Sequence, residues 1–369
     1  MSSARRGAAA HLGAALPGWI VARVIVLVAA AAGRFVLDRG FRPPILVIRA
    51  HTGLMSWDAD WYRRIATIGY ADLPRSSLRF FPLYPLLGRA VAPLLGGHTD
   101  WALLLIANGL ALVLGALVHR LALAEGAGDD LARRAAWLTA LAPPAFVLVM
   151  GYSEPLSLCL AVSCFLALRG KRWGWAAAAG FLAGLARPVG VLLVVPAAIE
   201  VWRARSGTGL AAKLAAVAAP AAGAGVFLAW VGIRFGDLLL PLRDQQQEGL
   251  RGKTVNPLLT VIRAGRGLAT GDLGRQAHFI TVFVAIALVV VVLLQWPASY
   301  GAYTAATVLA AMAADHLGSL ERYVYGAFPV VLALALIADG EQRERIVFTL
   351  SAAAMSASAV AAFVGAYVP

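Results

Sequence analysis

Charged residues and cysteines are scarce in this sequence. Only 14% of the 369 residues are Asp, Glu, Lys or Arg, against about 25% in a typical soluble domain, which excludes a soluble globular enzyme. Two cysteines, Cys159 and Cys164, lie in one apolar run, so a secreted disulfide scaffold is excluded and no zinc, haem or iron–sulfur spacing is present. A Walker loop is also missing, and with it the signature of a nucleotide-driven pump.

Apolar residues dominate what remains. They make up 60% of the chain, and the mean hydropathy is +0.76. Stretches long enough to cross a bilayer recur throughout, which predicts an all-α polytopic membrane protein, with residues 1–369 forming a single transmembrane domain. We predict about eleven spans. They are a first helix at 16–37 and segments at about 101–118, 135–150, 155–169, 173–187, 188–202, 211–234, 277–295, 299–317, 323–338 and 346–367.

Two long stretches interrupt the apolar pattern. Residues 38–100 and 235–276 contain many polar and charged residues and are predicted to be loops, the first with re-entrant or surface helices. Within the first, segment 80–95 is apolar but is interrupted by prolines and by Arg89, which predicts a broken or re-entrant element and not a span. Within the second, residues 256–268 have the pattern of an amphipathic helix at the membrane surface.

Basic residues set the predicted orientation. The net charge is +13, and because basic residues flank the apolar spans, the expected partners are membrane lipids and phosphate groups, not nucleic acid. The positive-inside rule places the short basic loops in the cytoplasm and both long loops outside. The basic residues of the short loops are Arg120, Arg133, Arg134, Arg169, Lys171, Arg172, Arg203, Arg205, Lys213, Arg343 and Arg345. Arg23, inside the first helix, is expected to extend its side chain to the basic end of that helix.

Two carboxylates follow the first helix on the predicted outer side. The sequence Trp-Asp-Ala-Asp-Trp-Tyr begins at Trp57, so that Asp58 and Asp60 are flanked by Trp57, Trp61 and Tyr62. Aromatic rings anchor a segment in the headgroup layer, and a carboxylate beside them is partly desolvated, which suits it to act as a general base. Residues two apart do not share a helical face, so only one carboxylate is expected to point into a given pocket. The alternative is a solvated Asp pair that caps a surface helix.

Further charged residues break the apolar pattern on the same predicted side. Glu154 lies at the mouth of a span, where an acid is either functional or favours the dipole of the following helix. Arg187 precedes a proline between two short apolar halves, and a broken helix with an exposed arginine suits a phosphate or carboxylate group. Arg322 with Tyr323 has the same interpretation. For both arginines the alternative is an ordinary loop residue.

The second long loop is basic. Its cations, among them Arg251 and Lys253, either hold a lipid phosphate or form a solvated face against anionic lipid. Three histidines on the predicted outer side, His51, His98 and His278, show no metal-ligand spacing. The sequence therefore predicts no metal site.

The order and spacing of several segments resemble the PIG-V family of mannosyltransferases, polytopic glycosyltransferases of the GT-C class. The resemblance runs from about residue 50 to residue 330, and the length of the chain is that of a bacterial member. The segments are Trp-Asp-Ala-Asp-Trp-Tyr at 57–62, Gly69-Tyr70, Phe-Phe-Pro-Leu-Tyr-Pro at 80–85, Tyr152-Ser153-Glu154, Ala186-Arg187-Pro188-Val189-Gly190, and Arg322-Tyr323 with Pro329.

The resemblance implies a GT-C fold and a transfer of mannose from polyprenyl-phosphate-mannose with inversion at the anomeric carbon. Asp58 aligns with the catalytic base of the family, and Asp60 ranks second. No metal or other cofactor is expected, because guanidinium groups can supply the charge that the leaving phosphate needs. The residues expected to bind the donor phosphate are Arg187, Arg322, Tyr323, Arg251 and Lys253. Those expected to bind substrate are Trp57, Trp61, Tyr62, Tyr84 and Glu154.

The implied enzyme is a multi-pass protein of the bacterial plasma (inner) membrane, with its active site on the extracytoplasmic side. The acceptor stays open: a glycolipid, a glycan or a protein. Three alternatives remain, namely a GT-C enzyme for another polyprenyl-linked sugar, a transporter or lipid flippase, and a non-catalytic assembly subunit. Against a transporter, the sequence shows no inverted repeat, and its acids gather at one face instead of at mid-membrane.

Overall fold

The computed structural model describes residues 2–40, 53–204, 209–247, 250–271 and 276–367. These residues form sixteen α-helices with short 3₁₀ helices between them, and they form no β-strand. Parts of both predicted loops, 41–52 in the first and 248–249 and 272–275 in the second, lie outside the described residues. The helices are α1 (Ser2–Asp38), α2 (Asp58–Ile68), α3 (Leu83–Val91), α4 (Thr99–Ala124), α5 (Asp129–Leu141), α6 (Glu154–Arg169), α7 (Trp173–Ala186), α8 (Val194–Arg203), α9 (Leu210–Phe235), α10 (Leu240–Gln245), α11 (Pro257–Thr270), α12 (Gln276–Gln295), α13 (Ala298–Met312), α14 (Leu320–Tyr325), α15 (Pro329–Ile337) and α16 (Glu341–Phe363).

Within the described ranges, five helices are long and apolar enough to cross a membrane. They are Gly7–Asp38 in α1, Thr99–Ala124, Leu210–Phe235, His278–Gln295 in α12, and Glu341–Phe363. The prediction of an all-α polytopic membrane protein is confirmed. The count of about eleven spans stays a prediction.

Prolines divide several other predicted spans into shorter helical pieces. The segment 135–150 contains the end of α5 and a 3₁₀ helix at Pro143–Leu148. The segment 188–202 contains a 3₁₀ helix at Pro188–Leu193 and most of α8. Proline lacks the N–H that continues a helix but is well tolerated in a first turn, so both 3₁₀ helices begin at a proline.

The two predicted loops contain helices of their own. The segment 80–95 forms α3 and a 3₁₀ turn at Ala92–Leu95. The nine residues of α3 extend over about 14 Å, less than half the thickness of a bilayer core. In the second loop, the helix predicted at 256–268 is α11, and the side chain of Asn256 caps it by accepting a hydrogen bond from the N–H of Leu258 at 2.9 Å.

Two compact units can be distinguished in the chain. Unit 1 comprises Met1–Leu73, Pro82–Leu166 and Leu334–Pro369, and unit 2 comprises Pro74–Phe81 and Ala167–Ala333. In unit 1, α1 packs against α4, α5 and α16. In unit 2, α9 packs against α7 and α8, and α12 packs against α11 and α13. The single transmembrane domain over residues 1–369 stays a prediction.

A buried polar contact links the helices of unit 1. Arg23 of α1 is 9% exposed, and its Nε donates to Oδ1 of Asn108 in α4 at 3.0 Å. Arg23 Nη2 donates to the carbonyl oxygen of Leu148 at 3.3 Å, and Asn108 Nδ2 donates to that of Val149 at 3.0 Å. These carbonyls end a 3₁₀ helix and need outside donors. The expectation that Arg23 reaches the membrane surface is therefore wrong, because its donors serve carbonyls in the interior.

Small residues let α7 and α9 of unit 2 approach each other closely. A Cβ atom on Gly184 would collide with the carbonyl oxygen of Pro220, and one on Gly223 would collide with the carbonyl oxygen of Phe181. Close backbone contact at small residues is typical of helix pairs in membranes, where dispersion forces drive association.

Candidate active site

Three segments that are far apart in the sequence meet in unit 1. The backbone N–H of Asp58 donates to Oη of Tyr152 at 3.3 Å, and a hydrogen bond of 2.6 Å joins Oη of Tyr62 to Oγ of Ser153. The ring of Tyr62 also meets the ring of Tyr84 edge-on, with centroids 5.0 Å apart. The start of α2, the start of α3 and the residues just before α6 therefore form one cluster.

The chain enters α2 through an unusual backbone conformation at Trp57. Its φ is +61° and its ψ is −125°, in a region that costs a bulky residue roughly 1–3 kcal/mol. The side chain is nearly buried, and its Nε1 donates to the carbonyl oxygen of Ala362 in α16 at 3.0 Å. Such conformations persist where surrounding contacts enforce them, and they concentrate at functional sites. The anchored indole fixes the position of Asp58, the next residue.

Asp58 and Asp60 lie on different sides of α2. Position 58 shares a helical face with 62 and 65, where Tyr62 and Ile65 are buried. Asp60 instead forms an ion pair with Arg63 on the outer side of the helix, and its side chain is 21% exposed. Asp58 thus belongs to the cluster with Tyr62, whereas a guanidinium engages the carboxylate of Asp60.

Glu154 and Tyr84, an acid and the second tyrosine of the cluster, are deeply buried. Oη of Tyr84 donates to the carbonyl oxygen of Leu103 at 2.9 Å. Glu154, the first residue of α6, is only 3% exposed and lies close enough to Tyr84 to act electrostatically on its hydroxyl. The start of α6 thus places an acid beside Tyr84 in the cluster.

Two further aromatic residues border the cluster. Trp61 is buried, with the guanidinium carbon of Arg64 5.2 Å from its ring centroid. Tyr70, after the end of α2, lies near Tyr62, and burial followed by that neighbour raises the pKa of Tyr70 well above its ordinary value. The Tyr70 hydroxyl therefore remains protonated at neutral pH and can donate a hydrogen bond.

In unit 2, two arginines lie against one tyrosine. The guanidinium carbons of Arg251 and Arg322 are 4.4 Å and 5.3 Å from the ring centroid of Tyr323. Arg322 is 5% exposed, whereas Arg251 is partly exposed and donates to the carbonyl oxygen of Ala311. Two guanidinium groups beside a phenol suit an anionic ligand with several oxygens, such as a phosphate.

Lys253 lies near these arginines in the chain, and Arg187 lies elsewhere in unit 2. The N–H of His316 donates to the carbonyl oxygen of Arg251 at 3.0 Å, and that of Asp315 donates to the carbonyl oxygen of Lys253 at 3.1 Å. The side chain of Lys253 is exposed. Arg187 occupies the break between α7 and the following 3₁₀ helix, with an extended backbone.

A histidine–glutamate pair adjoins Arg322 and was not predicted. His278 Nδ1 and Glu321 Oε1 are 3.0 Å apart, and Thr281 Oγ1 donates to the same oxygen at 2.8 Å. Burial favours the neutral form of Glu321, but the hydrogen bonds from His278 and Thr281 outweigh it, so the pKa of Glu321 lies below its ordinary value. The partners are 43 residues apart in the sequence, and only the adjacency of Glu321 to Arg322 pointed to the pair.

Histidines also meet in unit 1. Nδ1 of His11 in α1 and Nδ1 of His119 in α4 are 2.9 Å apart, so one ring must donate to the other. Across the described part of the chain, no group of three or more His, Cys, Asp or Glu residues could hold a metal ion.

Comparisons with known proteins give a match only among solved structures. No protein-family model matches the chain, and no curated protein matches it either. The chain is similar to the oligosaccharyltransferase of Archaeoglobus fulgidus in the apo form, with 12% identity and a TM-score of 0.48 over 96% of this chain and 56% of that one. The archaeal oligosaccharyltransferase AglB from the same organism, in complex with an inhibitory peptide and a dolichol-phosphate, gives 11% identity and a TM-score of 0.47 over the same shares. The chain thus spans little more than half the length of the proteins it matches, and membership in the PIG-V family stays a prediction.

Proposed function

We propose that the protein is an inverting mannosyltransferase of the bacterial plasma membrane. It moves mannose from polyprenyl-phosphate-mannose to an acceptor hydroxyl on the extracytoplasmic side. The observation that carries the proposal is the cluster in unit 1, where Asp58, Tyr62, Tyr84 and Ser153 come from three separate segments of the predicted motif. The alternative of a solvated Asp pair on a surface helix does not account for the burial of Tyr62 against Tyr84 and Ser153.

Asp58 acts as the general base in this proposal. Its carboxylate takes the proton of the acceptor hydroxyl while that oxygen attacks C1 of the mannose. The bond from C1 to the phosphate oxygen breaks, and the electron pair leaves with the polyprenyl phosphate. A single displacement of this kind inverts the anomeric carbon, and a positioned base contributes roughly 10²–10⁴ in rate.

The cations of unit 2 bind the phosphate of the donor in this proposal. Arg251 and Arg322 lie against Tyr323, and guanidinium groups stabilise the charge that develops on a departing phosphate. Arg187 and Lys253 add positive charge for the same group. No cofactor takes part in the proposed step.

The remaining candidates hold the substrates. Trp57 anchors the start of α2, and Trp61, Tyr62 and Tyr84 form the aromatic wall beside which the sugar or the acceptor is bound in this proposal. Glu154 accepts hydrogen bonds from substrate hydroxyl groups. The acceptor, whether glycolipid, glycan or protein, is bound beside these residues.

A donor-consumption assay tests the proposal. The purified full-length protein in liposomes receives radiolabelled polyprenyl-phosphate-mannose, with a membrane extract as the source of acceptors. We expect mannose to appear in acceptors and polyprenyl phosphate to be released in equal amounts. Matched reactions with the glucose and arabinose donors should give less transfer.

The outcomes separate the alternatives. Transfer from the glucose or arabinose donor alone would overturn the choice of mannose and keep the enzyme class. Movement of intact donor across the bilayer without release of polyprenyl phosphate would identify a transporter or flippase and overturn the proposal. No turnover with any donor, in protein shown to be folded, would favour an assembly subunit.

A further inference from the structure

Two short helical elements of unit 2 pack together, and each of them buries one polar side chain. The 3₁₀ helix Arg75–Arg79 comes from the first predicted loop and packs against α10 from the second. The 3₁₀ helix buries only Ser77 and Leu78, and α10 buries only Pro241 and Asp244. Because the elements are this short, the buried faces place Ser77 and Asp244 at their contact.

Both polar side chains keep an atom without a hydrogen bond. Ser77 is 0% exposed and Asp244 is 8% exposed. Among the described residues, Ser77 Oγ and Asp244 Oδ2 have no hydrogen-bond partner, while Asp244 Oδ1 accepts from Gln247 Nε2 at 3.2 Å. Nearly all buried polar groups in folded proteins are paired, and a buried carboxylate oxygen without a donor is especially costly. A bound ligand that brings donors would remove this cost.

The surroundings indicate what kind of ligand fits. Two neighbouring cations are engaged: Arg243 pairs with Asp237 at 2.6 Å, and Arg79 Nε donates to the carbonyl oxygen of Ser76 at 3.0 Å. A carboxylate oxygen accepts hydrogen bonds only, and a serine hydroxyl both donates and accepts. Vicinal hydroxyl groups of a neutral sugar match this pair, since one hydroxyl donates to the carboxylate and its neighbour exchanges a hydrogen bond with the serine.

We propose that Ser77 and Asp244 form a subsite for the hydroxyl groups of a neutral sugar. The choice of a sugar rests on the proposed function, because a glycosyltransferase must recognise at least the sugar of its donor. The subsite belongs either to the mannose of the donor or to a sugar of the acceptor, and it determines sugar specificity without taking part in the displacement.

Equilibrium binding tests this subsite without any turnover. Purified full-length protein in detergent is titrated with methyl α-mannoside, with polyprenyl-phosphate-mannose and with polyprenyl phosphate. We expect D244N and S77A to weaken binding of the mannoside at least about ten-fold and to leave binding of polyprenyl phosphate unchanged. The matched controls are S76A, the adjacent serine, and D237N, the aspartate already paired with Arg243; both should bind the mannoside like the wild type.

The three probes distinguish a subsite for the donor sugar from one for the acceptor sugar. The variants distinguish failure of the subsite from failure of the proposed function. Weaker binding of polyprenyl-phosphate-mannose assigns the subsite to the donor; an effect on the mannoside alone assigns it to the acceptor. D58N should bind every probe normally, so loss of transfer without loss of sugar binding concerns the base and not the subsite. Equal mannoside affinity in wild type, S77A and D244N would overturn the subsite. S77A removes a single oxygen atom, so it still tests the subsite if the D244N protein does not fold.

Discussion

Asp58 and Asp60 are two positions apart, yet the residues around them differ in kind. Asp60 binds Arg63 one turn along the same helix, a contact that follows from local spacing. Asp58 shares its face with the buried Tyr62, and its N–H meets Tyr152 from a segment 94 residues away. The sequence predicted that the two carboxylates would not share a face. Only the packing of Tyr62, Tyr152 and Ser153 distinguishes which one lies in the cluster.

The pair of Glu321 with His278 gives a prediction about pH. The pKa of Glu321 is lower in the folded chain than its ordinary value of 4.5, so the unfolded chain binds the proton more tightly. Its contribution to stability is complete above that ordinary value and is lost as the pH falls through the lowered folded-state pKa. E321Q should therefore unfold at a lower temperature than the wild type at neutral pH, and the difference should shrink below pH 4.5.

Thermal unfolding in detergent, from neutral pH down to about pH 3, measures this difference. E341Q is the matched control, because Glu341 is 80% exposed and pairs with Arg345 one turn away. A difference in unfolding temperature between E321Q and the wild type that stays constant or widens toward acid pH would contradict the lowered pKa of Glu321.

At the level of the element, a local pattern predicted a helix of the second loop. The amphipathic pattern at 256–268 predicted α11, and the cap at Asn256 is a finding of the structure. The interior partners of Arg23 could not be predicted, because Asn108 and Leu148 come from other elements. The break at Pro188 was predicted, whereas the division of the segment 135–150 at Pro143 is local chemistry that a window of mean hydropathy averages away.

The close pair α7 and α9 gives a prediction at this scale. G223A places a methyl group against the carbonyl oxygen of Phe181 and should destabilise the protein by about 1–3 kcal/mol, since backbone must move. G225A, two residues along the same helix, has no atom within 4 Å of the new methyl group and should be neutral or slightly stabilising. Unfolding temperatures of both variants in one detergent measure the contrast. Equal stability of the two would show that α7 and α9 do not pack this closely.

For the whole molecule, composition predicted a helical membrane protein, and the five long apolar helices among the described residues agree with it. Which distant segments meet is a property of tertiary packing. The segment Pro74–Phe81, continuous with α2 in sequence, belongs to unit 2, whereas α2 belongs to unit 1. No periodicity or composition signal marks that division.

Charge distribution gives a prediction about orientation. Arg120, Arg133 and Arg134 flank the turn between α4 and α5, which the positive-inside rule assigns to the cytoplasm. A single cysteine at Gly128 should therefore resist a membrane-impermeant maleimide in intact cells, whereas one at Asp72 should react. Both positions are exposed, and the native Cys159 and Cys164 are buried, so background labelling should be low. Labelling at Gly128 but not at Asp72 would place the candidate active site in the cytoplasm.

The role of Asp58 is the central claim, and single-turnover transfer by D58N beside D60N tests it most directly. Enzyme in excess over labelled donor reports the chemical step, and binding of the donor is measured separately. D58N should bind the donor normally and transfer mannose roughly 10²–10⁴ times more slowly than the wild type, because only the proton acceptor is removed. D60N should lose about an order of magnitude at most, since Asp60 is already paired with Arg63. Full turnover by D58N, or a larger loss in D60N than in D58N, would contradict the assignment of the base to Asp58.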